Sequence, residues 1–239
     1  MQKHKNGKLY LIPAPLAEQG IGHLPVALLQ RVIMECDSFL VENIRSARRY
    51  ISSLNLGISI ENLQFEVLDK NSSWEEVVRL CAGLHAGHTM GVMSEAGCPG
   101  IADPGAPAVQ YAHEHHIPVV PIAGPSSVFM ALMASGFNGQ SFVFHGYLPI
   151  DKQKRQARIK AIERNSYEQS QTQIFIETPY RNDQLFGGIV GICKASTKLC
   201  VASGISGPQQ MIVTKSIQEW RKQAPKLHKV PTVFLLSGG

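Results

Sequence analysis

Residues 94–105 read Ser94-Glu95-Ala96-Gly97-Cys98-Pro99-Gly100-Ile101-Ala102-Asp103-Pro104-Gly105, placing two carboxylates among three glycines and two prolines. Glycine lets a backbone approach a ligand closely and take φ > 0, while proline fixes the bends between. Behind the apolar run Met90-Gly91-Val92-Met93, such a loop suits ligand binding at the carboxyl end of a strand. Two other segments carry related chemistry. Gly124-Pro125-Ser126-Ser127 sets hydroxyls at a helix start, where free N–H groups and the helix dipole favour a carboxylate or phosphate. Simple capping by Ser126 or Ser127 accounts for the same residues. Glu177-Thr178-Pro179-Tyr180-Arg181 joins a carboxylate to a guanidinium, to hold a hydroxylated or anionic ligand or merely each other.

The elements that must position these groups follow from the apolar pattern. Leu9–Ile12, Ser38–Val41, Thr89–Met93 and Pro118–Ile122 read as strands in the first half. Between them lie amphipathic helices over Val26–Met34, Ser46–Leu54, Trp74–Ala86 and about Pro107–His115, the third capped by Ser72 or Ser73 with Glu75 and Glu76 in its first turn. Helices over Val128–Ser135 and Lys152–Arg164, and strands at Phe142–Phe144, Thr172–Ile176, Lys198–Ser203 and Thr232–Leu236, complete the second half. Strands alternating with helices predict an α/β protein with a largely parallel sheet. The expected division is into two α/β domains, 1–122 and 123–239.

Composition narrows the functional classes. With 239 residues, 44% of them hydrophobic and 17% charged, the chain is a well-buried globular protein. A net charge of +5 leans towards polyanions such as RNA. Cys36, Cys81, Cys98, Cys193 and Cys200 form no C-x-x-C pair, which points to free thiols in a reducing cytoplasm and away from a structural metal. His113, His115 and His116 read as a solvated helix end. No signal peptide is visible, and Ile117–Ile150, free of Asp, Glu, Lys and Arg, is broken by Pro118, Pro121, Pro125 and Gly136. It reads as the buried centre where two domains meet, not as a membrane span. Neither a Gly-Lys-Ser/Thr P-loop nor a Gly-x-Gly-x-x-Gly after the first strand occurs, so ATP and NAD are poor candidates.

In order along the chain, Leu-Ile-Pro-Ala-Pro, the 94–105 loop, Ala-Gly-Pro-Ser-Ser, Phe-His-Gly-Tyr-Leu-Pro and Ile-Glu-Thr-Pro-Tyr-Arg-Asn resemble the tetrapyrrole methylase superfamily. Within it they look most like the bacterial ribosomal RNA ribose 2′-O-methyltransferases, which act on a cytidine of the small-subunit RNA. The resemblance implies two α/β domains with S-adenosyl-L-methionine (AdoMet) in the cleft between them, and a homodimer. By position it assigns Ser94, Ala96, Gly97, Pro99 and Gly105, with Ser126, Ser127, Thr178 and Pro179, to the cofactor. Glu95, Asp103 and Glu177 become candidate bases, unranked, for a ribose hydroxyl that is a poor nucleophile until it loses its proton. Glu42, Arg45, Arg48, Arg49 and Arg181 become candidate RNA contacts, with Lys3, Lys5, Lys8 and the Lys152–Arg164 helix as further basic groups.

The family's Ala-Glu-Asp-Thr-Arg stands here as Val41-Glu42-Asn43-Ile44-Arg45, and its Glu-Leu-Thr-Lys as Ser203-Gly204-Ile205-Ser206. A tetrapyrrole C-methyltransferase and a non-catalytic AdoMet- or RNA-binding relative are therefore the alternatives to RNA methylation. On the main reading, Gly97→Val blocks the cofactor and leaves the chain folded.

Overall fold

The computed structural model describes residues 7–18 and 20–238. Lys3 and Lys5 lie outside them. Two compact units emerge, Met1–Ser126 and Ser127–Gly239.

The first unit is a five-stranded parallel sheet of β1 (Leu9–Ile12), β2 (Ser38–Val41), β3 (Gln64–Val67), β4 (Met90–Met93) and β5 (Val119–Pro121), in the order β3-β2-β4-β1-β5. Side chains alternate between its faces with the two-residue period of a strand. Ile12, Phe39 and Val41 meet Leu29, Val32 and Ile33 of α1 (Val26–Glu35) and Ala47, Tyr50 and Ile51 of α2 (Ile44–Ser53). Leu9, Leu40 and Val92 face the other way, onto Val77, Leu80 and Cys81 of α3 (Trp74–Cys81) and Ala108, Tyr111 and Ala112 of α4 (Ala106–Glu114). Covering both faces is what makes β1, β2 and β4 nearly continuous apolar runs.

This strand order fixes where a site can form. From β1 the chain crosses β4 to reach β2, with α1 on one face. From β4 it crosses β1 to reach β5, with α4 on the other. The loops after β1 and β4 therefore part at a topological switch point, the place where open α/β sheets bind ligands. Residues 122–126 also belong to this unit. Ile122 N–H donates to Leu11 O at 3.0 Å, and Gly124 lies so close to Pro13 that an added Cβ would meet Pro13 Cβ at 2.1 Å. These contacts carry the division to Ser126/Ser127, beyond Ile122 where composition placed it.

The second unit departs from the expected parallel pattern. Its sheet runs β6-β7-β10-β8-β9, from β6 (Phe142–Tyr147), β7 (Thr172–Ile176), β8 (Lys198–Ser203), β9 (Met211–Ser216) and β10 (Thr232–Ser237). Only β6 and β7 are parallel; the other pairs are antiparallel. The cause is local. β8 and β9 are joined by a short loop in which Gly204 and Ser206 take positive φ, and a short loop permits only an antiparallel pair. Besides α5 (Ser127–Ser135), the unit has α6 (Lys152–Gln169), α7 (Asn182–Ile192) and α8 (Ile217–Trp220), whose Ile159, Ile162, Leu185, Phe186, Ile189 and Trp220 pack around Phe175 and Phe234.

Two sequence expectations change here. The charge-free stretch is not uniformly buried: α5 hides Val128, Ala131 and Leu132 but leaves Phe129 and Met133 exposed. Nor is α6 simply a solvated basic face. Arg155 is buried and donates to the carbonyls of Pro149 and Ile150, and Arg158 reaches His145 Nδ1 at 2.9 Å. Among the described residues, no helix is long and apolar enough to cross a membrane.

Phe39 is fully buried and stacks on Phe65 beneath the β2 end that carries the site. Phe39→Ala is expected to lower stability by about 3–5 kcal/mol, read by urea unfolding.

Candidate functional site

Three carboxylates converge at the carboxyl ends of β2 and β4. Glu42 directly follows β2, Glu95 follows β4 by one residue, and Asp103 lies further along the same loop. Glu95 N–H donates to Glu42 Oε2 at 3.4 Å, and Ser46 Oγ donates to Glu95 Oε1 at 2.9 Å. Ser46 is held there because Asn43 caps α2, its side chain accepting from the N–H groups of Arg45 and Ser46. Burial first, then the charges of Glu42 and Glu95, push the Asp103 carboxyl up to about 7. Glu42 is raised as well, by burial before the charges of Glu95 and Asp69, against the Glu95 N–H bond that lowers it. Asp103 has neither a hydrogen-bond donor nor a cationic partner among the described residues.

The loop itself is braced by the two segments beside it. Gly97 and Ala14 exchange N–H···O bonds of 3.1 and 2.8 Å, tying the β4 loop to the β1 loop. Cys98 Sγ–H donates to Pro125 O at 3.4 Å, tying it to residues 123–126. Ser94 and Pro99 are buried, Ala96 is exposed, and Gly105 caps α4 at φ +131. Gly97 takes φ +76, and an added Cβ would stand 3.3 Å from Leu16 Cδ2. Valine at that φ strains the backbone. The expectation that Gly97→Val spares folding is therefore withdrawn.

Glu177, Thr178, Pro179 and Arg181 form their own group in the second unit. The Arg181 guanidinium donates to the buried Glu177 carboxylate at 2.6 Å, and Thr178 N–H donates to the same oxygen at 2.7 Å. Arg181 N–H returns to Thr178 O at 2.9 Å, a turn with proline at its second position. Glu177 Oε1 thus accepts from two donors, in contrast to Asp103. Beside it, Arg181 Nε and Asn182 Oδ1 are buried without partners, and buried polar atoms are nearly always paired.

The RNA candidates separate by environment. Arg48 lies over the Phe65 ring at 5.4 Å. Arg45 and Arg49 are exposed, and Arg49 lines a groove of about 550 Å³ between the β1 loop, α2 and the start of the β4 loop. Ser126 ends the first unit, while Ser127 is the first residue of α5; both are half-buried. Sequence reasoning missed Ser46, Tyr50 and Asn182 as site residues. Tyr50 reads as an ordinary apolar position of α2, yet its hydroxyl donates to Pro13 O at 2.8 Å and steadies the β1 loop.

No protein-family model matches the chain. Among solved structures, the methyltransferase CobJ superposes with a TM-score of 0.64 at 14% identity, over 97% of this chain and 94% of that one. Uroporphyrin-III C-methyl transferase from Thermus thermophilus, solved with S-adenyl homocysteine, gives a TM-score of 0.56 at 16% identity, over 97% of each chain. The fold is that of the tetrapyrrole methylases. In sequence, the chain is similar to ribosomal RNA small subunit methyltransferase I of Halalkalibacterium halodurans, at 31% identity over 207 residues, 82% of this chain and 67% of the relative. The Streptococcus pyogenes serotype M6 protein of the same name is 32% identical over 180 residues, 75% of this chain. The Escherichia coli O157:H7 protein is 27% identical across the whole chain and 82% of the relative. The chain belongs to the ribosomal RNA small subunit methyltransferase I family. It spans 58% of the length of the Streptococcus relative.

An acid whose folded pKa is raised stabilises the fold fully below its unfolded pKa and loses that contribution as pH rises through the folded value. For Asp103 the window runs from 3.8 to about 7. Asp103→Asn is accordingly expected to raise the melting temperature at pH 8 and leave it unchanged near pH 3.8, as read by calorimetry.

Proposed function

We propose that this chain is an AdoMet-dependent methyltransferase acting on a ribose 2′-hydroxyl of small-subunit ribosomal RNA. The observation that carries the reading is the 94–105 loop. It is braced at the switch point and holds a half-buried, unpartnered carboxylate whose pKa lies near neutrality. The names of the relatives support the RNA substrate.

The residues present fit the cofactor. Glu42, Glu95 and Asp103 form a negative cluster with no cationic partner among the described residues, which suits a ligand bearing ammonium and sulfonium charge. In this reading Ser94, Ala96, Gly97, Pro99, Gly105, Ser126, Ser127, Thr178 and Pro179 hold the cofactor. When bound, AdoMet supplies an activated methyl group.

The chain contributes position and a proton acceptor. Asp103 takes the proton of the acceptor hydroxyl through its ionised carboxylate. A pKa near the working pH makes it both available and basic. Burial, then the charges of Glu42 and of Glu95, the latter fixed by Ser46, keep the Asp103 pKa high. Arg45 and Arg49 supply phosphate contacts.

The reading includes a reducing cytoplasm, supported by five free cysteines, four of them buried. It also includes a homodimer, supported by the exposed Phe129 and Met133 of α5.

The test is transfer of labelled methyl from AdoMet to unmodified small-subunit RNA, with uroporphyrinogen III as the competing acceptor. Label is expected in ribose, with kcat/KM, which reports the free protein, rising with pH through about 7. Asp103→Asn is expected to lose about 10²–10⁴-fold in kcat together with that pH dependence. Label in the tetrapyrrole alone overturns the RNA reading, and failure of AdoMet to bind by calorimetry overturns both.

A further inference from the structure

The parallel sheet of the first unit ends at β3, and that edge is open. Leu68 N–H donates to Val41 O at 3.0 Å, which turns Leu68 and, by the two-residue alternation, Glu66 towards β2. The N–H and C=O groups of Phe65 and Val67 therefore point outward, where β3 has no neighbouring strand among the described residues. β5, at the opposite edge, ends on Pro121, which has no N–H to offer. Gln64–Val67 contains neither lysine nor proline, and Val67 is 46% exposed.

A groove of about 530 Å³ wraps this edge. Ile44, Phe65 and Val67 give it an apolar wall on the α2 side, where Arg48 lies over the Phe65 ring. Its other wall sets three carboxylates, Glu66, Asp69 and Glu76, against one guanidinium, Arg79, already 3.8 Å from Glu66. Glu76 Oε2 accepts from Ser73 N–H at 2.8 Å, and Asp69 Oδ1 accepts from Asn71 N–H at 2.7 Å. These bonds hold two of the three charges in place, with no cationic partner among the described residues. Residues 61–76 set Glu61, Glu66, Asp69, Glu75 and Glu76 against Lys70 alone, in a chain whose net charge is +5. The local sign is opposite to that of the whole.

We propose that the β3 edge docks an extended basic segment of a partner protein, added to the sheet as a further strand in which apolar and cationic residues alternate. Its backbone pairs with Phe65 and Val67. Its apolar side chains lie on Ile44, Phe65 and Val67, and its lysines or arginines face Glu66, Asp69 and Glu76. A strand's side chains alternate between faces, so only an alternating sequence meets both walls at once. A second copy of this chain pairing through its own β3 would set acid against acid. The surface goes beyond methyl transfer, and it lies beside the end of β2 that carries Glu42.

The experiment measures anisotropy of a fluorescein-labelled peptide of about eight residues alternating lysine and valine, the length of an ordinary strand. An isomer with its lysines and valines in separate blocks is the control. The alternating peptide is expected to bind about tenfold more tightly, because the isomer cannot satisfy both walls. Val67→Pro deletes one outward N–H where an edge tolerates proline. It is expected to weaken binding about fivefold with the circular dichroism spectrum unchanged. Glu66→Lys is expected to weaken it about threefold and to flatten its salt dependence. Bound peptide is expected to slow hydrogen exchange at residues 65–67. Equal binding of the isomer, unchanged affinity in both variants, or protection confined elsewhere would overturn the docking site. So would a dimer in sedimentation equilibrium that Val67→Pro dissociates, since the edge would then belong to a second copy.

Discussion

Everything distinctive about the site depends on β1 and β4 lying side by side while their chains leave in opposite directions. In a parallel sheet covered on both faces, each crossover must pass over one face or the other. The order β3-β2-β4-β1-β5 sends α1 and α4 to opposite faces, so the loops after β1 and β4 separate at the strand ends. The Ala14–Gly97 pair then holds the separated loops together at one point. Gly124 against Pro13 adds the third segment by an approach that leaves no room for a side chain. The result is a braced loop, not an open turn.

That bracing has an electrostatic consequence. Glu42, Glu95 and Asp103 are held close enough for their charges to oppose one another, and Asp103 is buried enough to feel it. Without a ligand this arrangement opposes ionisation at neutral pH. A cationic ligand would relieve it, so the same geometry that raises the pKa of Asp103 favours such a ligand. The second unit shows the opposite solution. There Glu177 is buried but paired with Arg181 and an N–H, and its charge is already answered.

Much of this was legible in the residues. The strands of the parallel sheet read as apolar runs because both faces are covered, and β7 and β8 coincide with the expected bounds. β3 was not legible: its Gln64–Val67 pattern is largely exposed, since it is the sheet's edge strand and has little apolar surface to reveal it. β9 was also missed: it is the other sheet's edge strand, half-buried, and its apolar run Met211-Ile212-Val213 is short. At the site, the ligand loop and its carboxylates stood out because glycine, proline and acid rarely gather behind a buried strand. Ser46 did not, because its role depends on a contact with Glu95, 49 residues away. The choice among Glu95, Asp103 and Glu177 likewise rested on partners that only the folded chain supplies.

The central claim is that residues 94–105, with the segments braced against them, form the AdoMet-binding wall. Hydrogen exchange with and without AdoMet tests it most directly, because it reads each backbone segment separately. Slowed exchange concentrated in 94–105 and 123–127, with β3 and α6 unchanged, is the predicted result. AdoMet binding that leaves 94–105 at its free exchange rate would contradict it.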